Sequence, residues 1–94
     1  MSEPRTVGLG SVAKGFRGRI HAVDASQVAT AIAAEELERR LLEFGFIEGA
    51  AVEIPHEGLF GRDPIAVRVD RTTIALRRQE ANAILVVAQD EPAA

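Results

Sequence analysis

The chain has 94 residues, one domain by length, and its 47% hydrophobic and 27% charged residues suit a folded domain rather than a disordered one. It has no cysteine, which excludes disulfides, thiolate metal sites and cysteine nucleophiles. A net charge of −3, no Trp, no Tyr and only 4 Phe argue against a nucleic-acid binder, which needs a basic face or stacking rings.

The opening stretch MSEPRTVGLGSVAKG has no apolar run of the kind a secretory signal needs, and residues 1–6 read as a loose leader. FRGRIHAVDA reads as a strand after Gly15. Its alternation is imperfect, because Ile20 and Ala22 share a face while Val23 is also apolar; a bulge near His21 and Ala22, or a strand covered on both sides at its end, reconciles the pattern. The longest uncharged stretch, ASQVATAIAA, falls far short of the roughly 20 residues of a membrane span. The expectation is a soluble cytoplasmic chain that meets a membrane only through a partner.

VATAIAAEELERRLLEF is the clearest helix. Val28, Ile32, Leu37, Leu41 and Phe44 recur near the helical period, with Ala31 and Ala34 filling the stripe. Glu35, Glu38, Arg39 and Glu43 occupy the opposite face, and Glu35 precedes Arg39 in the favourable i,i+4 order. Ser26 is the expected cap and Gly45 the expected residue just past the end. Four short strands follow: AAVEI, with Ala50, Val52 and Ile54 inward; IAVRV, with Ile65, Val67 and Val69 inward; TTIAL, with Ile74 and Leu76 inward after a tight turn at Asp70; and AILVVA, apolar on both faces. RRQEAN, before the last strand, has the polarity of a single helical turn, and residues 89–94 read as a tail.

Too few residues separate the later strands for crossover helices, so they pair antiparallel. Five short strands in so small a chain must curl to cover their core. The expected fold is mainly β: a small, five-stranded, partly open barrel with one inserted α-helix.

An ordered series of residues resembles the FeoA family. Arg40, Leu41 and Leu42 close the helix. Gly45, Phe46, Ile47, Glu48 and Gly49 form a Gly-apolar-x-x-Gly turn. Leu59, Phe60, Gly61, Arg62, Asp63 and Pro64 stand where that family has a Leu-Gly-Asp-Pro-like loop. The closing segment is Ile74, Ala75, Leu76, Arg77, Arg78, Glu80, Ala81, Ile84 and Val86. Leu9, Val12 and Gly15 match the opening Leu-x-x-Leu-x-x-Gly, with Val12 in the second leucine position. The resemblance spans residues 7–88 and departs in two places: residues 24–36 are longer and richer in alanine, and the loop carries Phe60 and Arg62. It implies an SH3-like barrel that assists FeoB, a membrane transporter of ferrous iron with a cytosolic GTP-binding domain. It also implies kinship with the C-terminal domain of iron-dependent repressors. The alternative function is therefore a detached regulatory domain that binds a peptide segment or a metal-loaded regulator. A proline-peptide receptor of true SH3 type is weaker, because such grooves are lined with Tyr and Trp.

Each candidate site has a plain alternative. Leu59 and Phe60 sit between Gly58 and Gly61 in a turn from which both cannot easily point inward; they either cap a barrel end or, with Gly61 and Arg62, form a contact knob for FeoB. Arg62 on its glycine-flanked loop could also act as an arginine supplied in trans to a GTPase. Arg39 and Arg40 sit among glutamates, either self-paired or offered to an acidic partner. Arg77 and Arg78, taken as adjacent strand residues, point to opposite faces. His21 and His56 are the only imidazoles and lack ligand spacing, so no metal site and no cofactor is expected unless the two meet across the barrel with carboxylates. There is no Gly-x-Ser-x-Gly and no phosphate loop, so no catalytic residue is expected. The alanine-rich helix and the Leu-Phe loop leave room for a homo-oligomer.

Overall fold

The computed structural model describes residues 5–89. The expected leader over 1–6 and tail over 89–94 therefore lie largely outside the described residues. The elements in chain order are β1 (Val7–Gly8), a 3-10 turn (Leu9–Ser11), β2 (Arg17–Val23), α1 (Ala34–Glu43), β3 (Ala51–Glu57), β4 (Ile65–Val69), β5 (Thr72–Leu76), α2 (Arg78–Ala81) and β6 (Ile84–Ala88). All strands join one antiparallel sheet in the order β1-β6-β2-β3-β4-β5. No ladder joins β1 to β5, so the sheet stays open.

The alternation expected of the strands decides the core. Val52, Ile54, Ile65, Val67 and Val69 turn inward and are buried, while Arg68 between them is exposed. β6 lies between β1 and β2 in the sheet and carries apolar residues on both faces. Ile84 and Val86 are fully buried, and Leu85 and Val87 are half-buried. The bulge in β2 falls between Ile20 and Ala22, at His21. Asp70 takes a positive φ of 53° in the tight β4–β5 turn, a conformation that short polar side chains tolerate.

Three expectations need correction. Among the described residues the sheet has six strands: Val7 and Gly8 pair with Val86 and Leu85, in a ladder too short to show a period of its own. The helix begins at Ala34 rather than near Val28, and Ser26 does not cap it; the N-cap is Ala33, without a side-chain bond. Local polar groups hold the preceding link out of the helix. The Asp24 carboxylate accepts the Ser26 N–H at 2.9 Å, and the Glu38 carboxylate accepts the Ala25 N–H at 2.8 Å, which folds the link back along the helix. Val28 and Ile32 still pack against the core, but from an irregular segment. Finally, Phe44 is not the end of the buried stripe. It is 47% exposed at the helix C-cap, and the ring that fills the core is Phe46, beyond Gly45. Gly45 has φ 105°, the left-handed turn that stops the helix and swings Phe46 under it.

Candidate interaction surface

The β3–β4 hairpin carries the feature that sets this surface apart. Its neck closes where the Gly58 N–H donates to the Pro64 carbonyl at 2.8 Å. The two limbs are so close that a Cβ at Gly58 would collide with the Asp63 carbonyl oxygen, which is why a glycine stands there. Gly61 (φ 68°) and Arg62 (φ 58°) then turn the tip through two successive left-handed residues. Leu59 and Phe60 stand on that tip at 94% and 89% exposure, so neither caps the barrel.

The tip is exposed, but its base is fixed. Arg78 lies beneath it with only 19% of its side chain exposed. Its Nε donates to the Arg62 carbonyl at 2.8 Å. Nη1 donates to the Gly10 and Val12 carbonyls at 3.1 and 2.6 Å, and Nη2 pairs with Glu57 Oε1 at 3.0 Å. The Arg78 backbone N–H completes the set by donating to Asp63 Oδ1 at 2.9 Å. One planar guanidinium thus binds the hairpin to the N-terminal 3-10 segment and to the end of β3, a role its fixed fork of donors suits. Arg78 opens α2 rather than ending a strand, so the opposite-face reading of Arg77 and Arg78 does not hold. Arg77 is the exposed N-cap, and its N–H donates to the Glu80 carboxylate at 3.3 Å. Sequence reasoning missed Arg78 as a key residue, because its side-chain partners lie 16 to 68 residues away along the chain.

A cleft of about 250 Å³ lies at the foot of the knob between Gly10–Ala13 and Gly61, Arg62 and Arg78. Arg62 is exposed, and among the described residues its guanidinium has no hydrogen-bond or ion-pair partner. A larger cleft of about 440 Å³ crosses β2, β3 and β4 and is lined by Arg17, Glu53, Arg68, Asp70 and Arg71 among others. Its charges are largely internal: Glu53 pairs with Arg17 at 3.2 Å and reaches Arg68 at 3.9 Å.

Arg39 and Arg40 belong to α1, and no hydrogen bond or ion pair among the described residues joins them to the hairpin. Both turn to Glu36: Arg39 through a hydrogen-bonded ion pair, and Arg40 at 3.4 Å. The Arg39 guanidinium holds the Glu36 carboxyl below its ordinary range, and Glu36 in turn raises Arg39. His21 and His56 are exposed on β2 and β3. Among the described residues no group of three or more His, Asp or Glu side chains is placed to hold a metal ion. No helix of the described residues is long and apolar enough to cross a membrane.

The FeoA domain family model matches residues 7–88, which span every element from β1 to β6. The chain belongs to the FeoA family. Among solved structures, FeoA of Stenotrophomonas maltophilia, in complex with zinc, is 29% identical with a TM-score of 0.67, covering 83% of this chain and 86% of that one. That protein is described as a prokaryotic SH3 domain protein and a candidate bacterial ferrous iron transport activating factor. FeoA of Chlorobium tepidum is 27% identical with a TM-score of 0.69, covering 87% of this chain and 70% of that one. A manganese-dependent transcriptional repressor, 20% identical, shares the fold with a TM-score of 0.69 over 94% of this chain but only 44% of its own. No curated protein sequence matches the chain. The SH3-like, mainly β architecture is thus common to FeoA proteins and to part of a metal-dependent repressor.

Proposed function

We propose that this FeoA-family chain is a non-catalytic accessory protein of ferrous iron uptake, and that it docks on the cytosolic GTP-binding domain of FeoB through Leu59, Phe60, Gly61 and Arg62. One observation carries the reading: two large apolar side chains, 94% and 89% exposed, stand on a hairpin whose base is held by a five-bond Arg78 network. Exposed apolar groups on a fixed platform lose little conformational freedom on binding, and a desolvated aromatic anchor is the usual centre of a binding surface. The family, and the transport role suggested for the S. maltophilia relative, supply the iron context. Arg39 and Arg40 form a second, weaker contact, since each must share or leave Glu36 to meet a partner. On this reading the chain works in the cytoplasm and reaches the membrane only through FeoB.

The test is co-purification with the FeoB cytosolic domain. Wild-type protein is retained and Phe60→Ser protein is lost. Equal retention of the two would remove the knob from the account. The second reading, a detached regulatory domain that binds a peptide segment or a metal-loaded regulator, is favoured by the fold shared with the manganese-dependent repressor. It predicts no retention of either protein on FeoB.

A further inference from the structure

We propose that the knob of one molecule docks on the C-terminal end of α1 of a second copy of the same chain. Among the described residues, apart from the lone Val7, the exposed large apolar side chains fall into two groups, and they are different. One is the Leu59–Phe60 tip. The other lies within six residues at the end of α1 and the turn after it, where Leu42, Phe44 and Ile47 are 50%, 47% and 54% exposed. Patches of this kind on a small soluble chain mark a contact rather than idle surface.

Charge says which surface fits which. The knob is flanked by Arg62, exposed and unpaired among the described residues, while the nearby Asp63 and Glu57 carboxylates are engaged by Arg78. The α1 end is flanked by exposed Glu43 and Glu48. The arginines of that helix, Arg39 and Arg40, pair with Glu36, and Arg39 also attracts Glu43, so Glu48 is the seat's carboxylate without an ion-pair partner among the described residues. A basic apolar knob therefore faces an acidic apolar seat, both encoded in one chain, and complementary rims of this sort set partner choice and register. The open edge of β5 does not offer an equivalent self-contact. Antiparallel pairing of two β5 edges centred on Ile74 would set Arg71 against Arg77 of the other copy, like charges on an exposed ladder.

The contact is small. Each knob side chain contributes roughly 150–250 Å² at most, which with its seat stays below the roughly 1,200 Å² of stable interfaces. The association is weak and transient, with a dissociation constant between about 1 μM and 1 mM. Because it covers Phe60, self-association and any other use of the knob exclude each other. The inference does not depend on the FeoB reading, and its test contains no FeoB.

Sedimentation of the full chain over concentrations bracketing that constant decides it. The average mass of the wild-type protein rises with concentration. Phe60→Ser and Ile47→Asp, both on exposed positions that leave the fold intact, each abolish the rise. Arg62→Glu and Glu48→Arg each weaken association about threefold or more, and the two together restore it towards the wild-type value. A wild-type chain that stays monomeric throughout overturns the proposal. So does association that survives Phe60→Ser or Ile47→Asp, or a doubly reversed variant no tighter than either single one.

Discussion

Replacing Arg78 with Ala tests whether the knob stands on a fixed base. The substitution removes a guanidinium that is 19% exposed and leaves the Gly10, Val12 and Arg62 carbonyls without their donor and the half-buried Glu57 carboxylate without its partner. A hydrogen bond to a charged group contributes about 1.5–3 kcal/mol, but four bonds to one side chain are not additive, and water can reach part of this site. Breaking a fully buried pair costs about 3–5 kcal/mol. Discounted for exposure, the loss is about 2–4 kcal/mol, a large share of the roughly 5–15 kcal/mol that holds a small domain together. In thermal unfolding followed by circular dichroism, a chain of this size loses about 4–8 °C per kcal/mol, so the midpoint falls by about 8–32 °C. Arg78→Lys recovers little, because an ammonium cannot span three carbonyls and a carboxylate at once. Arg77→Ala, one residue away and exposed, stays within about 0.5 kcal/mol of wild type. If Arg77→Ala and Arg78→Ala melt together near wild type, the network is not what holds the hairpin.

Burial separates two phenylalanines in the same experiment: Phe46→Ala, fully buried, costs about 3–5 kcal/mol, whereas Phe60→Ser leaves the urea midpoint within error. Gly58→Ala forces the hairpin neck apart against the Asp63 carbonyl, and exchange of the residue-58 amide, which donates to the Pro64 carbonyl, should rise with a stability loss of about 1–3 kcal/mol. Asp24 and Glu36 have folded-state pKa values lowered, Asp24 by its hydrogen bonds from Ser26 and Glu36 by Arg39. Each therefore contributes stability above its ordinary value of 3.8 or 4.5 that is lost as pH falls through the lower folded value. Carbon-detected carboxyl titration should show both midpoints below those values, and Ser26→Ala should raise that of Asp24; midpoints at the ordinary values contradict the assignment.

Most of the fold was legible because strands half-covered by a core alternate. Ile65, Val67 and Val69 announce their inward face, and the broken alternation around Ile20–Ala22 left a bulge or a doubly covered strand end, of which the structure shows the bulge at His21. The helix was overextended for an equally physical reason. Val28 and Ile32 sit at helical spacing and do touch the core, but periodicity cannot tell a helix from an irregular link held by Asp24 and Glu38 side chains. β1 was invisible because two residues carry no period. At the site, the sequence pointed to Leu59 and Phe60 through their glycine neighbours, but not to the residue that fixes them. Arg78 lies 16 residues from Arg62 and 68 from Gly10, and long-range convergence on one side chain leaves no local mark.

The central claim is that the outward-facing hairpin tip, and no internal pocket, makes the functional contact. Calorimetric titration of the FeoB cytosolic domain, at concentrations below those of self-association, tests it most directly. Wild-type protein should bind one-to-one, and Phe60→Ser should weaken binding by about thirtyfold or more with its melting temperature unchanged. Equal affinity for the two proteins would contradict the claim.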